Sequence, residues 1–304
     1  MRLAIAAAVL SACAHPAASP TPLAQPFADT FATAIAARDA GAAAAWFAPD
    51  AKVSVIAGPA LEGRAEIARG IDALFARFAS AHVAIGRRWT SRDASVIELV
   101  FTAVRAGKPV GVVAAAVVAF DRAGLVAAAR IYIDLPTVVG QIDPSRLPEG
   151  ARARAPVTGP PAGTTASTVT GNAAEAANLA AATASWARLD AHDPAGVLAA
   201  AAPDYVYDDF AGPAPLDLAG TRALLERWLG MVPNFAIVAR PVHIAAGDDV
   251  ITESIEQMTF RGRAVTLHGL AVKHFEHGRV LREWQYANSA ESLGALFGIV
   301  FEVP

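Results

Sequence analysis

Apolar residues recur at helical spacing at the start of two long stretches: Phe27, Phe31 and Ile35 fall every four residues, and Leu179, Trp186 and Leu189 fall seven and three apart. Each set predicts an amphipathic helix. In the later stretch Asp193-Pro194 marks a further short helix over residues 195–202, because aspartate can cap it and proline loses nothing in a first turn whose N–H groups are unpaired anyway. A strand is predicted next, at 53–57 and again at 205–210. A third helix opens after Gly63 and after Gly220, its apolar face made of Ile67, Ile71, Leu74, Phe75 and Phe78 in one case and Leu224, Leu225, Trp228 and Leu229 in the other. The remainder is strand-rich: 95–104, 110–120 and 125–134, then 237–244, 250–260, 264–275 and 279–286. Helices followed by a run of antiparallel strands is an α+β order, with the helices packed on one face of a curved sheet. That order excludes a doubly wound parallel sheet.

The order occurs twice because the sequence repeats. Ala48-Pro49-Asp50 lies opposite Ala202-Pro203-Asp204, Asp39 opposite Asp193, and residues 128–134 opposite 282–288, all at an offset of 154. Between the copies, Pro144, Pro148, Pro156, Pro160 and Pro161 precede a Thr/Ser/Gly tract, which reads as a linker over 144–172. The domains are therefore expected at 27–143 and 173–304, behind a Pro/Ala-rich tether at 14–26. Such a linker is long enough for the two copies to pack as an intramolecular pseudo-dimer.

The first thirteen residues change the picture of where the protein works. Arg2 is followed by an apolar run over 3–10, too short to span a bilayer, and by Leu10-Ser11-Ala12-Cys13, which resembles a bacterial lipobox. The segment reads as a signal peptide, with Cys13 acylated and holding the mature chain to a membrane. Ala12-Cys13-Ala14 also suits the peptidase that releases soluble proteins, so a secreted product stays as the alternative. Either way the destination is the bacterial cell envelope, in the periplasm or at the outer membrane, or beyond it. Cys13 is the only cysteine, so no internal disulfide can form. With 54% hydrophobic and 17% charged residues the chain is too apolar to be disordered. A net charge of −3 without a dense Lys/Arg run argues against a nucleic-acid partner.

Particular residues narrow the α+β order to one resemblance. The second copy carries Ala202-Pro203-Asp204-Tyr205-Val206-Tyr207-Asp208-Asp209, Leu218-Ala219-Gly220, and a hairpin from Leu270 through Gly278 that closes on Glu283-Trp284. The first copy keeps Ala48-Pro49-Asp50, Leu61-Glu62-Gly63-Arg64 and a closing Ile131-Tyr132-Ile133-Asp134 followed by a Thr- and Gln-bearing tail. Together these resemble the SnoaL-like family of the nuclear transport factor 2-like superfamily, which includes polyketide cyclases and ketosteroid isomerases. The resemblance implies cone-shaped domains whose sheet wraps a mostly apolar pocket and which pair through the outer sheet face. The family also holds members that only bind or scaffold, so the fold does not fix the function.

The candidate chemistry lies mainly on strand faces. Arg130, Tyr132 and Asp134 share one side of the last strand of the first copy. Asp134 is the expected general acid/base, by resemblance to the cyclases, with Tyr132 or Arg130 stabilising an enolate oxygen. The competing reading has Asp134 ending the strand and capping the next turn. The second copy has Asn288 there, which cannot exchange a proton, so the first copy is expected to carry chemistry and the second to hold ligand. Its candidates are His268, Tyr205, Tyr207, Asp209, Trp284, Tyr286 and Asn288, with Glu253 and Glu256 as further titratable groups. His274 and His277 lack a third ligand, so no metal is expected. No nucleophile elbow, phosphate loop or dinucleotide fingerprint is present. The reading is a cofactor-independent protein that holds a small hydrophobic molecule, with proton-transfer chemistry as its enzymatic version and a non-catalytic binding or assembly module as the alternative.

Overall fold

In the computed structural model, which describes residues 24–56, 58, 60–149, 151–159, 164–260, 262–287 and 289–291, each copy forms its own sheet with helices on one face. Cys13 with the rest of the signal segment, most of the tether, and Asn288 lie outside the described residues.

The first domain runs α1 (Ala24–Ala36), α2 (Ala40–Ala44), β1 (Phe47–Val55), β2 (Ala60–Glu62), α3 (Arg64–Arg77), β3 (Ala81–Thr90), β4 (Ser95–Arg105), β5 (Lys108–Phe120), β6 (Val126–Tyr132) and α4 (Leu135–Ile142). A short strand, β7 (Ala166–Thr168), leads to the second domain: α5 (Ala173–Asp190), α6 (Pro194–Val197), β8 (Ala201–Asp209), β9 (Leu216–Asp217), α7 (Leu218–Met231), β10 (Ala236–Ala246), β11 (Asp249–Phe260), β12 (Arg263–Glu276) and β13 (Arg279–Ala287). The sheets are ordered β2-β1-β6-β5-β4-β3-β7 and β10-β11-β12-β13-β8-β9. The chain is thus α+β, in tandem. Asp39 and Asp193 do equivalent work, each accepting from a backbone N–H of the short helix it caps.

Four of these elements depart from the expected pattern, each for a local reason. β1 and β8 begin well before the predicted strands and run through Ala48-Pro49-Asp50 and Ala202-Pro203-Asp204. Their parallel pairing with the last strand shifts register at that point, as it must where proline has no N–H to donate. β3 has no counterpart in the prediction, because Gly86 and the adjacent Arg87-Arg88 interrupt its apolar alternation. α4 forms where a tail was expected: the Asp134 side chain accepts from Thr137 N, and Pro136 sits in the first turn.

The proline-rich linker is a docked segment rather than a free tether. β7 adds to the edge of the first sheet, pairing in parallel with residues 88–90 of β3. Upstream, Val157 N donates to Gly111 O at 3.0 Å. The contact is so close that a Cβ on Gly111 would lie 2.0 Å from the Val157 carbonyl oxygen. Arg154 then reaches the second domain, 2.7 Å from Asp208.

Strand alternation gives each sheet two working faces. On β4 and β5, Ile97, Leu99, Ala116 and Val118 pack under the helices, while Val96, Val113, Ala115 and Val117 point the other way. Those outward residues, with Trp89 and Tyr132, form one apolar cluster with Val242, Ile251, Leu270, Val272 and Tyr286 of the second domain. The helix-free faces of the two sheets therefore pack against each other.

Candidate functional site

A cavity of about 290 Å³ lies in the second domain, between its sheet and helices α5 and α7. Trp186, Leu189, Leu225, Trp228, Phe235 and Leu267 supply much of its apolar wall. The polar wall comes from alternate residues of neighbouring strands: Tyr205, Tyr207 and Asp209 on β8, Glu283 and Gln285 on β13, Lys273 on β12 and Glu256 on β11. Strand geometry explains the convergence, because residues two apart on one strand face the same way and register brings the rows side by side. Tyr207 stands beside Glu283, and Glu283 beside Lys273.

Two of these carboxyl groups are held well above the usual carboxylate range. Burial pushes Asp209 up to about 6, assisted by the charges of Asp134 and Asp208, while the Ala211 N–H and Arg154 act in the opposite direction. Burial likewise pushes Glu256 up to about 7; the Ser254 hydroxyl donates to it at 2.8 Å and partly offsets this, and the Glu291 charge adds to the rise. A Cβ on Gly269 would fall 2.7 Å from Gln285 Nε2 and 3.1 Å from Ser254 Oγ, so glycine leaves room for the polar group around Glu256. At another part of the wall, Glu291 accepts from both the backbone N–H and the Nδ1 of His268, each at 2.7 Å. Glu291 thereby orients the His268 ring.

The structure sorts the expected site residues into three groups. Tyr205, Tyr207, Asp209 and His268 line the cavity, together with Glu256. Trp284 and Tyr286 belong instead to the contact between the sheets: Arg87 lies 3.5 Å from the Trp284 ring centroid, and the Tyr286 hydroxyl donates to Glu98. Asn288 falls outside the described residues. Arg130, Tyr132 and Asp134 do not converge on a pocket under the first domain's helices. Arg130 and Tyr132 point out of that domain and hold Glu253 of the second, the tyrosine at 2.6 Å. Asp134 caps α4 and accepts from Ser289 N and Oγ at 2.8 and 2.6 Å. The cause is parity: Ala129 and Ile131 of β6 lie on the helix-facing side, so Arg130 and Tyr132, which alternate with them, face the other sheet. His274 pairs with Asp249 at 2.7 Å, while His277 stands in the adjoining hairpin turn at φ 51°.

The cavity lies in the second copy, and the matching positions of the first are filled. Matching pairings set Val53, Ala129 and Val118 of the first sheet in the places of Tyr207, Glu283 and Lys273 of the second. By the same registers Val55 and Ile131 stand for Asp209 and Gln285, and Leu99 stands for Ser254. Continuing along the strand, Phe101 stands for Glu256. The first domain fills this space with side chains, including Phe27, Phe47, Phe75 and Phe78. Polar residues at the matching positions of the second copy were the signal for Glu256, Lys273 and Glu283.

Two segments of the chain, residues 28–129 and 182–283, match the SnoaL-like domain. No curated protein sequence matches the chain. Similar solved structures include AclR from Streptomyces galilaeus, 20% identical over 41% of this chain and 99% of that one, with a TM-score of 0.39. A protein of ketosteroid isomerase-like fold from Catenulispora acidiphila, in complex with trimethylamine, is 23% identical over 40% and 93%, with a TM-score of 0.37. An LEH-like epoxide hydrolase from M. tuberculosis is 23% identical over 41% and 92%, with a TM-score of 0.36.

Proposed function

The chain belongs to the SnoaL-like domain family in two tandem copies, and from that premise we propose that its second domain binds a small, largely hydrophobic carbonyl compound and moves a proton on it without a cofactor. The observation that carries this reading is the pair Asp209 and Glu256, raised to about 6 and about 7 on the wall of one mostly apolar cavity. A general base works best when its pKa lies near the working pH, since it is then both ionised and basic enough to act. Groups with such values in a cleft are functional-site candidates on physical grounds.

In this reading one carboxylate, ionised, removes a proton α to the carbonyl, and the other, protonated, delivers its own proton elsewhere on the ligand. Tyr205 and Tyr207 keep their hydroxyl protons, because burial and the neighbouring carboxylates push both well above the usual phenol range. The first domain, with its filled core, acts as the fixed half against which the second sheet is held. Export and anchoring through Cys13 complete the proposal on the sequence alone, and place the ligand in the cell envelope.

The test follows deuterium uptake at the α-carbon of 1-indanone in D2O by NMR. The protein should accelerate exchange, and Asp209→Asn with Glu256→Gln should remove on the order of 10²-fold of that rate or more. Uptake at the buffer rate, in a protein shown by native mass spectrometry to hold the ketone, would reduce the domain to a binding module.

A further inference from the structure

Lys273 is buried on the cavity wall, 5% exposed, with its Nζ 2.5 Å from Glu283 Oε2. Glu283, 8% exposed, also accepts from the Tyr205 hydroxyl at 2.9 Å, and the ammonium lies 5.3 Å from the Trp186 ring centroid. The choice of cation is informative. The chain has three lysines, Lys52, Lys108 and Lys273, against 22 arginines. The partly or fully buried cations that bridge its domains and linker are arginines: Arg87 with Glu98 and Tyr286, Arg130 with Glu253, and Arg154 with Asp208. Arginine suits such pairs because its planar fork binds carboxylates with two bonds and never loses its proton. Lysine brings the one property arginine lacks, an amine that can be deprotonated and act as a nucleophile. The first copy has Val118 in the matching place, beside Ala129 in place of Glu283. The Lys-Glu pair is therefore a feature of the cavity and not of the fold.

We propose that Lys273 condenses with an aldehyde or ketone carbonyl of a small apolar ligand in this cavity, forming a protonated Schiff base. This names the ligand class for the reading above and rests on it. In the step the ammonium passes a proton to Glu283, the freed amine attacks the carbonyl carbon, the C=O π pair moves to oxygen, and that oxygen takes one of the two protons left on the nitrogen. The resulting carbinolamine expels its hydroxyl as water, taking one proton from Glu283, as the C=N bond forms. One carbonyl and one ammonium give one iminium and one water, so atoms and charge balance. Glu283 and the Trp186 ring, which now face the ammonium, then face an iminium of the same charge, and the site needs no electrostatic rearrangement. An iminium also acidifies the adjoining C–H, which is the proton that Asp209 or Glu256 would take.

The experiment traps the imine. Full-length protein is incubated with benzaldehyde and cyanoborohydride, and the benzylated lysines are mapped by peptide mass spectrometry over time. Benzaldehyde has no α-hydrogen, so labelling depends on imine formation alone. Lys273 should be labelled several-fold faster than Lys52, whose side chain is 71% exposed and serves as the internal reference. Lys273→Arg, which keeps the charge and the pair, should leave only the slow surface labelling. Labelling of Lys273 no faster than Lys52 would overturn the proposal, as would indanone exchange that runs at full rate in Lys273→Arg. Fast labelling at Lys273 without catalysed exchange would instead uphold the Schiff base and sink the proton-transfer reading.

Discussion

Tyr132 of the first sheet donates its hydroxyl to Glu253 of the second at 2.6 Å, and Tyr286 of the second donates to Glu98 of the first in return. The two tyrosines hold equivalent places, since each pairs with the matching residue of the preceding strand, Ala115 or Leu270, and these in turn pair with Glu98 and Glu253. Such reciprocity, with residue i contacting j and j contacting i, is what a two-fold interface produces. Here one chain supplies both halves. Each glutamate also has an arginine, Arg87 for Glu98 and Arg130 for Glu253, so both buried charges are compensated.

Removing one of those glutamates should therefore cost more than removing its tyrosine partner's hydroxyl. Glu253→Ala strands both Arg130 and the Tyr132 hydroxyl, and is expected to lower stability by about 3 kcal/mol, near the low end for a broken buried pair because Arg130 is partly exposed. Tyr132→Phe should cost about 1–2 kcal/mol. Urea unfolding of the full chain measures both. A Glu253→Ala loss smaller than that of Tyr132→Phe would show that the pair does not hold the sheets together.

Stability should fall as pH rises from about 4 to about 7. Asp209 and Glu256 start from 3.8 and 4.5 and reach about 6 and about 7 in the folded protein. Between those limits the native state binds more protons than the unfolded one, which makes the slope of unfolding free energy with pH negative. His274, raised by its bond to Asp249, adds the same sign, and His243, lowered by burial, opposes it just below its ordinary value of 6.5. Denaturation midpoints at pH 5 and pH 8 provide the comparison. The double variant Asp209→Asn, Glu256→Gln should flatten the profile, and an unchanged slope in that variant would assign the pH dependence elsewhere.

The docked linker should come loose when its closest backbone approach is blocked. A side chain at Gly111 meets the Val157 carbonyl at 2.0 Å, and backbone cannot swing aside as a side-chain tip can. Gly111→Val is expected to keep both sheets and to raise the rate of limited proteolysis within residues 151–165 at least several-fold. Equal cleavage rates would mean that the segment is held by β7 and Arg154 alone.

How much of this was legible in the sequence depended on whether neighbours along the chain or across it decide the outcome. The repeat, the order of elements and the capping aspartates Asp39 and Asp193 are local and readable. Strand parity was readable too, and correctly grouped Tyr205, Tyr207 and Asp209. It did not reveal which face of a sheet meets helices and which meets another sheet, and both faces here are apolar. Trp284 and Tyr286 were misplaced for that reason, as were Arg130 and Tyr132. The linker was misread because proline content reports a lack of regular structure, not a lack of contacts. A comparison of the copies strand by strand, polar in one and apolar in the other, needed the offset of 154 together with the one-residue indel that makes it 155 across the two middle strands.

Asp134 gives the sharpest separation between a structural and a chemical role. Its two oxygens accept from Thr137 N at one side and from Ser289 N and Oγ at the other. Asparagine offers a single acceptor oxygen and an NH2 group, which cannot accept, so it loses one side of this arrangement. Asp134→Asn is therefore expected to cost about 1–2 kcal/mol, the range of a lost helix cap. Its charge also raises Asp209, so removing it should lower the Asp209 pKa and shift the acid limb of the exchange profile to lower pH. If Asp134 were itself the base, the variant would lose nearly all exchange at every pH where it is folded. If it acts only through α4 and the charge on Asp209, the folded variant keeps its maximal rate and moves its profile. Exchange of α-deuterium measured from pH 4 to pH 9, at a temperature where the variant is folded by circular dichroism, decides between the two.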